Sequence, residues 1–144
     1  MEERLIKVGI THGDINGIGY EVILKTFSDA RVAELCTPVI YGSSKIAAYH
    51  RKALELPPVN MNIISQAEDA GINRVNIINC VDDETKVELS QSTSIAGEAA
   101  FLALEAAVTD LKRGAVDVLL TAPINKHNIQ NDEMTVIVMK VLQS

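Results

Sequence analysis

Tryptophan is absent from the 144-residue chain, and aromatic residues together make up only 3% of it. A core built from this sequence must therefore be aliphatic, drawn from Ile, Val, Leu and Ala. Cysteine is nearly absent too. Cys36 and Cys80 cannot by themselves form a disulfide framework or a zinc cluster, and they read as buried thiols in a reducing cytoplasm. There is no excess of basic charge: 13 Lys and Arg face 19 Asp and Glu, for a net charge of -6. That balance, with no basic cluster, excludes a nucleic-acid binder whose affinity rests on neutralising phosphates. No apolar run approaches the roughly 18 residues that span a bilayer, which excludes an integral membrane protein of the helical kind. Residues 1–10 show no basic region leading into a long apolar stretch, so no secretory signal is expected and a cytoplasmic location is. What is present is the balance of a globular domain, 47% hydrophobic and 22% charged, of a length that buries a sizeable core.

Apolar patterning divides the chain into short strands and helices. Leu5–Thr11 is a β-branched run apolar at both parities, as expected of a strand buried on both faces, and it stops at the glycine-rich loop His12–Gly19. Tyr20–Lys25 reads as the first turns of a helix. Thr37–Gly42 reads as a second strand, and Ser43 or Ser44 is placed to cap a helix that runs to Leu54 and ends before Pro57 and Pro58. Asn62–Ile64 and Val75–Asn79 read as further short strands, and residues 81–92 as a loop. The clearest helix spans Ser94 to Arg113, with Ser94 as its N-cap, Gly114 at its C-cap and an apolar stripe of Phe101, Leu104, Val108 and Leu111. Val116–Thr121 reads as a strand leading into Ala122-Pro123-Ile124-Asn125-Lys126. Strands alternating with helices predict an α/β fold with a mostly parallel sheet flanked by helices.

Two segments can carry chemistry. Gly13, Gly17 and Gly19 allow a tight turn and close approach to a ligand, and the helix that follows offers unpaired amides to an anion. Their spacing matches neither the dinucleotide fingerprint nor a P-loop, so by itself the loop reads equally as a turn that needs glycine. Thr121, Asn125 and Lys126 stand at the carboxyl end of a strand, where open α/β sheets bind ligands; the plainer reading is a helix start with a solvated lysine. His12, His50 and His127 read as surface or loop histidines, although His12 could face the cleft.

Taken together, the two segments resemble a known family. Gly13-Asp14-x-x-Gly17-Ile18-Gly19-x-Glu21, the helix Ala96-Gly97-Glu98-Ala99-Ala100 and the stretch Val116–Lys126 are similar to motifs of the 4-hydroxythreonine-4-phosphate dehydrogenases. The resemblance covers about Ile6 to Asp132. It implies an isocitrate/isopropylmalate dehydrogenase-like fold, which binds its nicotinamide without the usual fingerprint. It also implies oxidation of 4-phosphooxy-L-threonine with NAD or NADP, aided by a divalent metal. The 3-oxo acid formed would lose carbon dioxide to give 3-amino-2-oxopropyl phosphate for pyridoxal 5'-phosphate synthesis. The implied site is Asp14 and Lys126 at the reacting groups, with Gly13, Gly17, Gly19, Thr121 and Asn125 binding substrate or cofactor. A homodimer, with active sites built from both subunits, is implied for full-length members.

The chain departs from that pattern in two places. Ile15, Asn16 and Tyr20 replace small or proline residues of the family loop, without removing a glycine or Asp14. Past Glu133, the family's F-x-G-H-T-E motif and the second lobe with its three metal-binding histidines are missing, so the expected metal ligands are none and the chain is expected to be inactive alone. Residues 1–133 then read as the amino-terminal α/β portion, and 134–144 as an atypical apolar tail. An interrupted or incomplete gene is the preferred source of that tail, against a true strand of a short homologue. Two alternatives stay open: a dehydrogenase of another phosphorylated hydroxy acid, such as an erythronate or threonate phosphate, and a non-catalytic anion-binding module.

Overall fold

The computed structural model describes residues 5–122. Five strands, β1 (Lys7–Thr11), β2 (Thr37–Gly42), β3 (Met61–Ile64), β4 (Val75–Asn79) and β5 (Val118–Thr121), form one sheet in the order β3-β4-β2-β1-β5. Every pairing is parallel. Helices α1 (Gly19–Phe27), α2 (Val32–Leu35), α3 (Ser44–Ala53) and α4 (Ser94–Lys112) make the crossovers that parallel pairing requires, except between β3 and β4, which a short 3-10 turn at Ala67–Asp69 joins. The predicted α/β class is the observed one.

The two sheet faces follow from strand parity. Ile10, Ile40 and Ile77 face α1 and α2, where they pack with Ile23, Phe27 and Ala33. Val39 and Tyr41 face the other way and pack with Ala103 and Ala107 of α4. A third cluster lies above the carboxyl ends of the strands: Ile15 of the glycine loop, Tyr20 and Leu24 of α1, Ile46 and Ala47 of α3, and Ala96 and Ala99 of α4. The core is aliphatic, as the missing aromatics require. Fully burying each of its larger side chains contributes roughly 1.5–3 kcal/mol.

Several boundaries and burials differ from the sequence reading. β1 begins at Lys7 rather than Leu5, and β5 at Val118 rather than Val116, because Val116 and Asp117 form a bend whose Asp117 N–H reaches the Lys7 carbonyl. α1 begins one residue earlier than expected, at Gly19. In α4, Phe101 and Leu111 are only half-buried, and alanines at 96, 99, 100, 103 and 107 form the buried face. The pattern rule weights large side chains, yet here small ones let the helix lie close on the sheet. Cys36 and Cys80 are half-buried rather than buried, and burial pushes the Cys80 thiol up to about 11.

Ser94 is not the N-cap of α4. Thr93 has the extended backbone of a cap, and its hydroxyl accepts the Ala96 N–H at 3.1 Å and the Asn16 side-chain N–H at 3.3 Å. Ser43 caps α3, accepting the Ile46 N–H at 3.2 Å. At the other end of α4, Gly114 takes a left-handed φ of 81° just beyond the C-cap residue Arg113. Thr93→Ala is expected to lower the unfolding free energy by about 1–2 kcal/mol in urea titrations, while Ser94→Ala changes it by a few tenths. Equal losses at both positions would reverse that assignment.

Candidate functional site

The carboxyl ends of the strands share one rim, where the glycine loop meets Thr121 and Ala122, the described start of the second segment. Thr11 and Thr121 are register partners, and the Ala122 N–H donates to the Thr11 carbonyl at 3.0 Å. A Cβ placed on Gly19 would stand 3.5 Å from the Cβ of Ala122 and 2.3 Å from the carbonyl oxygen of His12. Gly19 is thus glycine because α1 starts against the backbone carbonyl of His12. Gly13 turns the chain out of β1 with a φ of 67°, a conformation L side chains rarely adopt. Thr11 is 1% exposed, and its Oγ1 has no hydrogen-bond partner.

Asp14 holds the turn. Its Oδ1 accepts the Asn16 N–H at 3.0 Å, its carbonyl accepts the Gly17 N–H at 3.1 Å, and its Oδ2 closes over Gly17. The structure brings Gly13, Asp14, Gly17, Gly19 and Thr121 to the rim. Asn125, Lys126 and His127 lie outside the described residues.

The amides at the start of α1 are served by no side-chain cap, unlike those of α3 and α4. Orphan amides and the positive end of the dipole make such a start suitable for an anion. No three His, Cys, Asp or Glu side chains among the described residues converge on a metal position.

His12 lies in the loop after β1, as expected, and His50 in α3, but neither is at the surface. They are 0% and 2% exposed, and both already bond to protein carbonyls. The His12 Nε2 lies 2.9 Å from the Ala99 carbonyl, which can only accept, so Nε2 carries the proton and Nδ1 is an acceptor. The Tyr20 hydroxyl, 2.8 Å away, therefore donates to Nδ1, and its oxygen accepts the Ser43 N–H at 2.9 Å. His50 stacks on Tyr20 at 5.4 Å between ring centroids and donates from Nε2 to the Ile15 carbonyl at 2.7 Å. Burial pulls His12 down to about 4 and lowers His50 as well, and it raises Tyr20 far above the usual phenol range.

Three further residues were not singled out for the site in the sequence. Gly42 lies under this cluster: a Cβ there would meet the Tyr20 hydroxyl at 2.3 Å and His12 Nδ1 at 2.8 Å. Asn16 joins the glycine loop to the 81–92 segment. Its Oδ1 accepts the Glu88 N–H at 2.7 Å, its Nδ2 donates to the Gln91 carbonyl at 3.0 Å, and its carbonyl accepts the Ser90 N–H. Tyr20 is the third. The presence of polar residues in an apolar, glycine-rich neighbourhood was the available signal, but nothing in their spacing named the partners.

Two outcomes follow from this geometry. Gly19→Ala is expected to cost about 2–3 kcal/mol in denaturant unfolding, because a backbone oxygen cannot step aside. Gly17→Ala, which meets only the movable Asp14 carboxylate, is expected to cost less than about 1 kcal/mol. For His12, the folded value lies below the unfolded 6.5, so its contribution is complete above pH 6.5. As pH falls from 6.5 towards 4 the unfolded chain takes the proton first, and the fold loses up to about 3 kcal/mol. The difference in unfolding free energy between the natural chain and a His12→Gln variant should shrink across that window; a constant difference would show that His12 titrates normally.

Comparison with known proteins identifies a family and a fold. Residues 34–139 match the family model "Pyridoxal phosphate biosynthetic protein PdxA". A 4-hydroxythreonine-4-phosphate dehydrogenase of Bacteroides thetaiotaomicron is 58% identical over 135 residues, covering 94% of this chain and 37% of that protein. A D-threonate 4-phosphate dehydrogenase of Cupriavidus necator is 31% identical over 129 residues, covering 88% and 38%. The crystal structure of a 4-hydroxythreonine-4-phosphate dehydrogenase from Burkholderia phymatum superposes with a TM-score of 0.77 at 28% identity, over 88% of this chain and 39% of that one. The Klebsiella pneumoniae enzyme shares the fold, with a TM-score of 0.82 at 22% identity, over 97% and 45%. The chain therefore spans less than half the length of these relatives, and on the family match it belongs to the PdxA family of pyridoxal phosphate biosynthetic proteins.

Proposed function

We propose that the chain is the amino-terminal portion of an NAD- or NADP-dependent dehydrogenase that oxidises 4-phosphooxy-L-threonine in the cytoplasm, on the route to pyridoxal 5'-phosphate. The observation that carries this reading is the meeting of the glycine turn and the Thr121 corner at one rim. The 58% identity to the Bacteroides dehydrogenase supports the choice of substrate. In this reading the uncapped start of α1 and the glycine loop receive an anionic group, phosphate or carboxylate, and Lys126 adds positive charge beside Asn125 and Thr121. Asp14 acts on the loop, holding Gly17 and Asn16 in place.

The described residues do not fit the divalent metal of the family reaction, since both described histidines are buried on carbonyl partners. The complete reaction belongs to the longer protein, working as a homodimer. The Cupriavidus relative favours a second reading, D-threonate 4-phosphate as substrate, at the lower identity of 31%.

A chimera tests both readings. Residues 1–133 of this chain replace the matching part of the Bacteroides dehydrogenase, and NAD reduction is followed with each phosphate ester. The expected result is turnover of 4-phosphooxy-L-threonine, with kcat/KM lowered about 10–100-fold by Lys126→Ala, as for loss of a charge-assisted contact. Preference for the threonate ester would select the second reading. An unchanged kcat/KM in the Lys126 variant would remove the lysine from the site.

A further inference from the structure

Residues 87–93 run as a strap between β4 and α4, and one side chain of the glycine loop fastens them. Val87 packs on the apolar cluster that holds Ile15 and Tyr20. From there Asn16, itself 2% exposed, grips the strap along its length. Its Oδ1 accepts the Glu88 N–H at 2.7 Å, and its carbonyl accepts the Ser90 N–H at 2.8 Å. Its Nδ2 donates to the Gln91 carbonyl at 3.0 Å and to the Thr93 hydroxyl, the cap of α4, at 3.3 Å. Ser90 sits between these contacts with a φ of 64°, a left-handed conformation that a non-glycine residue keeps only where its surroundings hold it. The loop is held from its other side as well, since His50 donates to the Ile15 carbonyl at 2.7 Å.

The strap changes character where Asn16 grips it. Residues 82–88 include Asp82, Asp83, Glu84, Lys86 and Glu88, whereas residues 89–95 carry no charge and are rich in hydroxyls, in a chain of net charge -6. Ser90, Gln91 and Ser92 are exposed. Hydroxyl and amide donors suit a phosphate ester, which acidic side chains would repel. We propose that Asn16 is a positioning residue: it clamps residues 88–93 so that Ser90–Ser92 wall one side of the place where the glycine loop receives a phosphate ester. This rests on the proposed role of the glycine loop in receiving an anionic group. Asn16 touches no reacting atom and acts through the strap. Without its side chain the Glu88 N–H and the Gln91 carbonyl lose their partner, Ser90 can leave its left-handed φ, and the wall has to be ordered at the expense of ligand affinity. Ground state and transition state lose that affinity alike, so KM rises while kcat holds.

The test compares Asn16→Ala with Ser43→Ala, which removes the α3 cap and leaves the strap contacts in place. In the chimera with the Bacteroides dehydrogenase, Asn16→Ala is expected to raise KM for the phosphate ester about 5–20-fold with kcat within about 2-fold, and Ser43→Ala to move neither beyond about 2-fold. A second arm titrates the 144-residue chain with inorganic phosphate and follows the Gly17 and Gly19 amides by NMR, where Asn16→Ala should weaken binding by a similar factor. Amide hydrogen exchange at Glu88 and Ser90 should quicken about 10-fold or more in Asn16→Ala while β2 and β4 amides exchange as before. Unchanged exchange at Glu88 and Ser90 would refute the clamp. An unaltered KM would refute its role at the site, and a rise shared by Ser43→Ala would reduce Asn16 to general stability. If the chimera turns over neither ester, the proposed function fails, and the phosphate arm then decides the role of Asn16. A phosphate Kd unmoved by Asn16→Ala, or no phosphate binding at all, would overturn it there.

Discussion

The Tyr20 hydroxyl is sealed from water, so each of its hydrogen bonds has to be found inside the protein. It donates to His12, the first residue after β1, and accepts from Ser43, the first residue after β2. His12 in turn donates to Ala99 in α4. One phenol on α1 thus fixes the exits of two neighbouring strands and, through an imidazole, the helix on the far face of the sheet. Removing that oxygen leaves a ring nitrogen and a backbone N–H buried without partners, each at a cost of about 1–3 kcal/mol. Direction matters as much as distance: because a carbonyl can only accept, the tautomer of His12 and the orientation of the Tyr20 O–H follow from it.

That polar cluster and the parallel sheet depend on each other. Parallel pairing places every strand exit on one rim and forces each connection to return over a face. The glycine loop must then cross above β1 while α1 begins immediately beside β5, and Gly19 and Gly42 are the positions where backbones and the Tyr20–His12 pair come too close for a side chain. The start of α1 has no side-chain cap, because its N-cap residue Ile18 carries no acceptor. A loop held rigidly from beneath, with amides unspoken for above, is pre-organised for a small anion in a way that a mobile glycine-rich loop is not.

Sequence periodicity revealed the alternation of strands and helices because a parallel sheet buries both parities and α4 repeats every three to four residues. It located β2 and β4 to the residue. It failed where small residues replace large ones, as on the alanine face of α4, and where two adjacent hydroxyls compete to cap, as with Thr93 and Ser94. The glycines and Asp14 were legible at the rim because turn chemistry leaves a local signature. His12, Tyr20 and Gly42 were not, since their partners lie 8 to 87 positions away and only the folded topology brings them together. Asn16 shows the same limit: it looked like a mild loop substitution, yet it ties the glycine loop to residues 88–93.

The buried histidines also divide labour within the family fold. A metal ligand needs a ring nitrogen with a free lone pair facing the ion. His12 directs one nitrogen at a carbonyl and the other at a phenol, and its low affinity for a proton reflects the absence of solvent. Turning either nitrogen towards a cation would break the bonds that hold the strand exits in place. The described portion is therefore organised to position a loop and a helix start, and no metal centre is built among the described residues. Among the described residues, Thr11 Oγ1 is the one buried side-chain polar atom left without a partner, so the polar groups inside this portion are satisfied almost completely.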